Sequence, residues 1–369
     1  MHFIGYFPGS DFASESQYGR RTHVFKLTQE IGERTDVRST FYFGNPAGEF
    51  ANLDVRSVDA SGSFAVKLKK ELELARTLVT EVRSSPEPTV IYCREAPDLA
   101  PTIAARFTDA ALVVEANSGH VEELEDHDSV FESYRHRLLR EMKWRTADRV
   151  IAVSADIAEQ LSERGVTDVT VVENGVDVDL FSVRRPVSTE PPYTIGYVGG
   201  LQPQQNVEFM FDVVAALDTP VQFNVVGGSE SEVSRLEAIV TDLELEDKVE
   251  FFGRVPHEDV PEYMNDADLC FGPFERIRPS SPLKIYEYLA CGRTVVVVND
   301  EGLQYFTDYP GVHVFPHGDA ADIASKVDAV LDTVETNEAG AAYVRENRSW
   351  QAIADRTVDI CREAVRDNR

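Results

Sequence analysis

The chain of 369 residues is too long for one compact core and predicts two domains of roughly 150–200 residues each. Its 43% hydrophobic and 27% charged residues exclude a disordered or fibrous chain, and no stretch approaches the ~18 apolar residues of a membrane span. The formal net charge of −28, from 64 Asp and Glu against 36 Lys and Arg, argues against a general nucleic-acid binder, because such a chain repels a polyphosphate backbone.

The basic residues are unusual in kind, since only 8 of the 36 are Lys. An acidic, Lys-poor composition is typical of proteins from salt-accumulating halophiles, where molar salt screens the self-repulsion. An acidic protein of ordinary origin is the alternative. The acidic residues are spread along the chain and not gathered in a tail, which favours the halophilic interpretation.

We therefore expect dilution from molar to low KCl to destabilise the chain. The melting temperature should rise with KCl by several degrees, since one kcal/mol corresponds to about 2–4 °C in domains of this size. Thermal unfolding followed by circular dichroism across the KCl range measures this. A melting temperature that ignores KCl would contradict the halophilic interpretation.

The first half alternates short apolar runs with amphipathic stretches. Strands are predicted at 3–7, 37–43, 89–92, 111–114, 149–153 and 169–172. Helices are predicted at 23–33, 68–82, 99–108, 134–145 and 155–164. Strand–helix alternation predicts an α/β domain with a mostly parallel sheet covered on both faces.

A proline-rich stretch, Val183–Pro192, predicts a linker, after which the alternation restarts. Strands are predicted at 193–198, 221–226, 248–252, 269–271, 294–298 and 312–315. Helices are predicted at 207–217, 230–243, 259–267, 282–290, 320–331 and 350–365. Two similar α/β domains would leave a cleft at the carboxyl ends of their strands, where ligands bind in such sheets.

The four cysteines, Cys93, Cys270, Cys291 and Cys361, form no CxxC pair. We interpret them as small core residues of a protein in a reducing cytosol. The eight histidines do not cluster with them, so no metal site is predicted.

The most informative segment runs from Ser280 to Gly292. Pro282 suits the first turn of a helix, and the free N–H groups of such a start, with Lys284 one turn in, form a phosphate site. Glu287 lies one turn deeper and could accept hydrogen bonds from a vicinal diol such as a ribose. An ordinary surface carboxylate is the alternative for a single Glu.

Five segments together, in order and spacing, resemble a GT-B glycosyltransferase of the family-4 type over nearly the whole chain. They are Ala147–Ser154, Asn174–Asp177 with Phe181, Ile195–Leu201, Val249–Val255 and Ser281–Val298. The resemblance implies two Rossmann-like domains facing each other across a cleft: an acceptor-side domain at 1–183 and a nucleotide-sugar domain at 193–348. It implies that the C-terminal helix, at 349–369, crosses back to the N-terminal domain.

The resemblance also implies the reaction: transfer from a nucleotide-diphosphate sugar to a glycan or lipid-linked hydroxyl, with retained configuration and without metal or cofactor. By position it assigns Glu287 to the ribose. It assigns the remaining donor-binding roles to Gly19, Gly200, Arg254, Val255, Arg276, Arg278, Ser281, Leu283 and Lys284. It assigns catalytic roles to Glu115, His120 and Lys284, although for His120 a plain turn histidine is an equal alternative.

Two departures from the family pattern stand out. The family carries basic residues after the first C-domain strand, and Gly199–Asn206 has none. Pro279 stands where the common Glu-x7-Glu pair has its first Glu. Either other charges compensate, or the chain is a catalytically weakened GT-B protein that binds a glycan or a partner. A sugar-nucleotide epimerase shares the fold, but no carboxylate and histidine set for it is found.

Lys67, Lys69 and Lys70 place three of the eight lysines at the start of one amphipathic helix. In so acidic a chain they could be a peripheral contact for anionic lipid, or a solvated face paired with nearby Glu residues. The pair Asp266 and Asp268 has the spacing of a metal-binding DxD, but it precedes a short apolar strand where the family has a structural Asp, so we interpret it as structural.

Overall fold

The computed structural model describes residues 1–11, 18–45, 50, 52–59, 64–117, 130–274, 282–300 and 302–368. The chain divides into two compact units. Unit 1 comprises Met1–Asn174 with Trp350–Arg369, and unit 2 comprises Gly175–Ser349. Each unit is a parallel sheet covered by helices, which confirms the predicted fold of two Rossmann-like α/β domains.

Unit 1 contains seven strands in the described residues, all parallel, in the order β3-β2-β1-β4-β5-β6-β7. They are β1 (His2–Asp11), β2 (Arg38–Asn45), β3 (Val55–Ser57), β4 (Thr89–Arg94), β5 (Ala111–Ala116), β6 (Arg149–Ala152) and β7 (Val169–Val171). The strand order reverses between β1 and β4. That reversal is the topological switch point at which such sheets bind ligands.

Helices cover this sheet. They are α1 (Tyr18–Gly32), α2 (Phe64–Ser84), α3 (Ala100–Arg106), α4 (Val130–Thr146), α5 (Ala155–Glu163) and, from the end of the chain, α12 (Trp350–Asp367). Ser154 caps α5, as its position predicts, by accepting a hydrogen bond from the Ile157 amide at 3.3 Å. Helix α12 packs on α1 and on β4, β5 and β6, so the last helix returns to the N-terminal unit as predicted.

Unit 2 has six parallel strands in the described residues, in the order β10-β9-β8-β11-β12-β13. They are β8 (Tyr193–Val198), β9 (Val221–Val226), β10 (Val249–Gly253), β11 (Leu269–Phe271), β12 (Thr294–Val298) and β13 (Val312–Phe315). The helices are α6 (Val207–Ala216), α7 (Glu230–Asp242), α8 (Val260–Asp266), α9 (Leu283–Ala290), α10 (Ala320–Leu331) and α11 (Glu338–Asn347). The order reverses between β8 and β11, as it does between β1 and β4.

The proline-rich stretch is bound to unit 2 and is not the free linker predicted. The amide of Arg184 donates to Asn265 at 2.7 Å, and the amide of Val187 donates to Thr336 at 2.9 Å. Residues 175–183, predicted in the first domain, also lie in unit 2, because Val176 and Phe181 are buried in its core.

Asp268 has a structural role in holding this stretch. Its two carboxylate oxygens accept hydrogen bonds from the amides of Ser188, at 2.7 Å, and Thr194, at 2.8 Å. Asp266 forms an ion pair with Arg185. These contacts agree with the structural interpretation of the two aspartates. All four cysteines are free and buried. Among the helices that the structure describes, none has both the length and the apolar character to span a bilayer.

Candidate active site

Glycines form the carboxyl edge of the unit 2 sheet at its switch point. Gly199 follows β8 and donates its amide to Val226 at 3.0 Å, while Gly227 follows β9 with φ +122°. A Cβ on Gly227 would lie 2.0 Å from the Gly199 carbonyl oxygen, and one on Gly199 would lie 2.6 Å from the Lys284 ammonium. Only glycine fits at position 227, where the obstructing atom belongs to the backbone; at position 199 a larger residue would displace the flexible end of Lys284.

Lys284 lies in the first turn of α9 and reaches this edge. Its ammonium donates to the Tyr197 hydroxyl at 3.2 Å and to the Gln205 side-chain oxygen at 3.3 Å, and it lies 4.6 Å from the centre of the Tyr197 ring. The loop Gly199–Asn206, which has no basic residue, therefore supplies the Gln205 side-chain oxygen as an acceptor that orients the Lys284 ammonium. Tyr197 is fixed in turn by donating to the Gly200 carbonyl at 2.8 Å.

Glu287 lies one turn after Lys284 on the same helix and is partly buried. Removal from water raises the pKa of its carboxyl to about 7, and the nearby Lys284 charge opposes that rise. Within the described residues, no side chain or amide donates a hydrogen bond to this carboxylate. Tyr288 holds the helix on the sheet by accepting from the Val198 amide at 2.8 Å.

The structure thus brings four of the predicted donor residues together: Gly200, Leu283, Lys284 and Glu287. Leu283 is the first residue of α9 and is partly buried. Arg254 and Val255 follow β10 at the edge of the sheet, two strands from β8, and Arg254 is exposed. Arg276, Arg278 and Ser281 lie outside the described residues.

In unit 1, Glu115 ends β5 at the carboxyl edge and is only 2% exposed. Its carboxylate accepts from His23 Nε2 at 2.8 Å, from the Asn117 amide group at 2.8 Å and from the Tyr92 hydroxyl, and it forms an ion pair with Arg94 at 3.2 Å. Burial opposes ionisation, but His23, Arg94 and Tyr92 outweigh it and hold the pKa of Glu115 well below its usual range.

This geometry corrects the expectation that Glu115 acts directly on a ligand. A carboxylate with four internal partners positions other groups, above all Asn117, which follows it at the edge of the sheet. Gly19, which precedes the helix predicted at 23–33, lies in the first turn of α1, because that helix begins five residues earlier than predicted. His120 lies outside the described residues.

His23 is a residue of this site that was not predicted from the sequence. Besides its bond to Glu115, its Nδ1 lies 2.7 Å from the Asn174 side-chain oxygen, and its ring packs edge-on against Trp350 at 5.2 Å. It therefore joins Glu115 to the residues at which the chain leaves and re-enters unit 1. The sequence signal for it is its position directly before the apolar Val24 and Phe25 at the start of the predicted helix.

We expect His23→Leu to lower the free energy of unfolding by about 3 kcal/mol, because it leaves a buried carboxylate short of a hydrogen-bond donor. The double variant His23→Leu, Glu115→Gln should lose less unfolding free energy than the two single variants together, by more than about 1 kcal/mol. Urea unfolding of the four proteins measures both quantities. Additive losses would show that the two side chains do not interact.

The comparisons with known proteins agree with this architecture. Two family models match: Glycosyltransferase Family 4 over residues 19–180 and Glycosyl transferases group 1 over residues 181–347. The chain is 26% identical over 302 residues to the glycogen synthase of Mycobacterium tuberculosis. This alignment covers 76% of this chain and 70% of that protein.

Two solved structures show the same fold over the whole chain. Sucrose-phosphate synthase from Thermosynechococcus elongatus superposes with a TM-score of 0.72 at 18% identity and covers all of both chains. HepE of Anabaena, solved in complex with UDP, superposes with a TM-score of 0.75 at 16% identity and covers 98% of this chain and all of that one. With both family models in sequence along residues 19–347, the chain belongs to the GT-B glycosyltransferases of the family-4 type.

Proposed function

We propose that the chain transfers a sugar, with retained configuration, from a nucleoside-diphosphate donor to a hydroxyl of a glycan or of a lipid-linked acceptor. One observation carries the donor assignment: Lys284 and Glu287 lie one turn apart on α9 at the switch point of unit 2. The first offers a cation to a diphosphate, and the second offers a ribose diol a carboxylate that has no hydrogen-bond partner among the described residues. The complex of HepE with UDP supports this class of donor.

The chemistry is loss of the nucleoside diphosphate from the anomeric carbon through an oxocarbenium-like state. We assign stabilisation of the departing phosphate to Lys284 and the first amides of α9, in place of a metal or cofactor. Arg276, Arg278 and Ser281 precede this helix in sequence and are proposed to add to it. Arg254 and Val255 are assigned to the base.

On the acceptor side, we assign the donor sugar and acceptor contacts to Asn117 and His120. Glu115 positions Asn117, and Gly19 contributes backbone near the same edge. We propose a cytoplasmic protein that meets the membrane peripherally, with Lys67, Lys69 and Lys70 on α2 as part of that contact. Lys67 and Lys69 are exposed, while Lys70 pairs with Asp59 at 2.5 Å.

A thermal-shift screen against UDP-, GDP-, ADP- and dTDP-sugars, with and without molar KCl, tests the donor assignment. One class of sugar nucleotide should raise the melting temperature, and mass spectrometry should then detect its slow hydrolysis. If only the Gln205→Lys variant responds, the natural chain is a weakened transferase. If no folded protein responds, the donor assignment is wrong.

A further inference from the structure

The exposed apolar side chains of this protein are concentrated on one surface. Within the described residues, every large apolar side chain that is strongly exposed belongs to α2, to α4 or to the residue that ends α3, and none belongs to unit 2. They are Val66, Leu68, Leu72, Phe107, Tyr134, Leu138 and Met142. We call these residues, with the basic residues among them, the α2–α4 surface. Scattered apolar residues need no explanation, but a concentration of this kind marks an interaction site.

Helix α4 shows the pattern most clearly. Tyr134, Leu138 and Met142 are spaced four residues apart, so they form one line along the helix, and they are 59%, 47% and 38% exposed. Arg137 and Arg145 are exposed beside this line. The opposite side of the helix carries the buried Lys143 and Trp144.

Helix α2 repeats the pattern. Leu68 and Leu72 are exposed at the same spacing, and Arg76 continues their line. Lys67 and Lys69 are exposed on the same turns. Each helix therefore presents apolar side chains to solvent with cations beside them.

The two helices lie in one layer. Leu78 of α2, Ala104 of α3 and Trp144 of α4 belong to the same buried core of unit 1. Helices α2 and α4 are also tied to one short segment before α3. From α2, Glu71 accepts from the amides of Leu99 and Ala100 at 3.0 and 2.9 Å.

From α4, Lys143 donates to Asp98 at 2.7 Å and to the Ala96 carbonyl at 2.6 Å. Helices α2 and α4 are thus both bound to the short segment Ala96–Ala100, so their exposed sides form parts of one surface.

The charge of this layer is opposite to that of the protein. Among the described residues of helices α2, α3 and α4, the exposed charged side chains are seven Lys and Arg against one Glu, a net of +6, whereas the whole chain has −28. A surface that combines apolar side chains with Lys and Arg is complementary to an anionic lipid bilayer, in which the apolar groups enter the headgroup region. A soluble acidic partner would match the charge but not the apolar line.

We propose that the α2–α4 surface binds an anionic lipid bilayer and that the acceptor is consequently lipid-linked. This proposal rests on the proposed function for the acceptor and deepens its peripheral membrane contact, but the bilayer contact does not depend on the donor assignment. Helices α2 and α4 begin after the carboxyl ends of β3 and β5, the edge at which Asn117 lies. A bilayer on this surface therefore adjoins the assigned acceptor side.

Flotation of the full chain with phosphatidylcholine vesicles, with and without phosphatidylglycerol, tests the contact at low salt. The chain should float with anionic vesicles and much less with neutral ones. Leu138→Gln with Met142→Gln should reduce binding at least about tenfold, because it removes apolar area at exposed sites without touching the core. The matched control Leu138→Met retains the apolar area and should bind like the wild type.

Charge is tested separately. Lys67→Gln with Lys69→Gln should weaken binding about 25-fold, or about 5-fold for each cation removed. The control Arg345→Gln with Arg366→Gln removes the same charge at exposed positions elsewhere and should change binding little.

Equal binding to neutral and anionic vesicles, or full binding by both test variants, would overturn the proposal. The proposal would also be overturned if the chain bound no vesicles and formed a dimer in light scattering that the Leu138→Gln, Met142→Gln variant dissociates, because the α2–α4 surface would then bind a second copy of the chain.

Titration with UDP in the absence of vesicles tests the donor assignment separately from the bilayer contact. The surface variants should keep the wild-type UDP response, and a wild type that floats but binds no nucleotide would leave the bilayer contact standing while the donor assignment falls.

Discussion

Glu287→Gln should remove nucleotide-sugar affinity and at the same time stabilise the protein at pH 8. The pKa of Glu287 rises from 4.5 to about 7 in the folded chain, so the folded state retains a proton that the unfolded state has released. The free energy of unfolding therefore falls as the pH rises from about 4.5 to 7, and the loss persists above that window. Gln cannot ionise, so the variant should be about 2–3 kcal/mol more stable than the wild type at pH 8 and similar to it near pH 4.5.

The affinity should fall on the order of 100-fold or more, because the carboxylate is assigned two charge-assisted hydrogen bonds to the ribose, each worth about 1.5–3 kcal/mol. Urea unfolding at the two pH values and calorimetric titration measure the two effects. Glu258→Gln, exposed on the same unit, is the control and should alter neither. Wild-type affinity in Glu287→Gln would show that this carboxylate does not bind the ribose.

Lys284→Ala should weaken donor binding by about 1.5–3 kcal/mol through the diphosphate. Gln205→Lys should strengthen it, because a second cation beside Lys284 would face the same phosphates; the bound diphosphate outweighs both the repulsion between the two ammonium groups and the loss of the Gln205 acceptor, which lies 3.3 Å from the Lys284 ammonium. Gln205→Met removes the acceptor that orients Lys284 and should weaken binding a few-fold.

Calorimetric titration with a nucleoside and with its diphosphate separates the contribution of the phosphates to the binding free energy from that of the base. The effects of all three substitutions should appear with the diphosphate and be nearly absent with the nucleoside. A Lys284→Ala variant that weakens both ligands equally would contradict the phosphate assignment.

The strands of unit 2 could be predicted to within about one residue because each is a short apolar run bounded by turn residues, of which Thr294–Val298 is the clearest. The short strand Val55–Ser57 could not be predicted, because its residues are not fully buried and Arg56 interrupts the apolar pattern. Helix α11 was missed for a similar reason: its buried side is made of Gly340, Ala341 and Val344, which is too little apolar area to produce a stripe.

The same distinction applies to the sites. Lys284 and Glu287 lie three residues apart on one helix, so their common location follows from helical geometry. The His23, Glu115 and Asn174 cluster joins positions 92 and 151 residues apart, and no local pattern reports such a contact. The stretch Val183–Pro192 has the composition of a linker, yet its amides are held by Asn265, Thr336 and Asp268 from distant parts of the chain.

The proposed function requires that the carboxyl edge of unit 2 bind a nucleoside-diphosphate sugar through Lys284 and Glu287. Calorimetric titration of the wild type and of the Lys284→Ala, Glu287→Gln double variant with UDP-, GDP-, ADP- and dTDP-glucose tests it most directly. We expect the wild type to bind one of these sugar nucleotides at one site per chain. The double variant, shown to be folded by circular dichroism, should bind none. A folded wild type that binds no sugar nucleotide, or a double variant that binds one as tightly as the wild type, would contradict the proposed function.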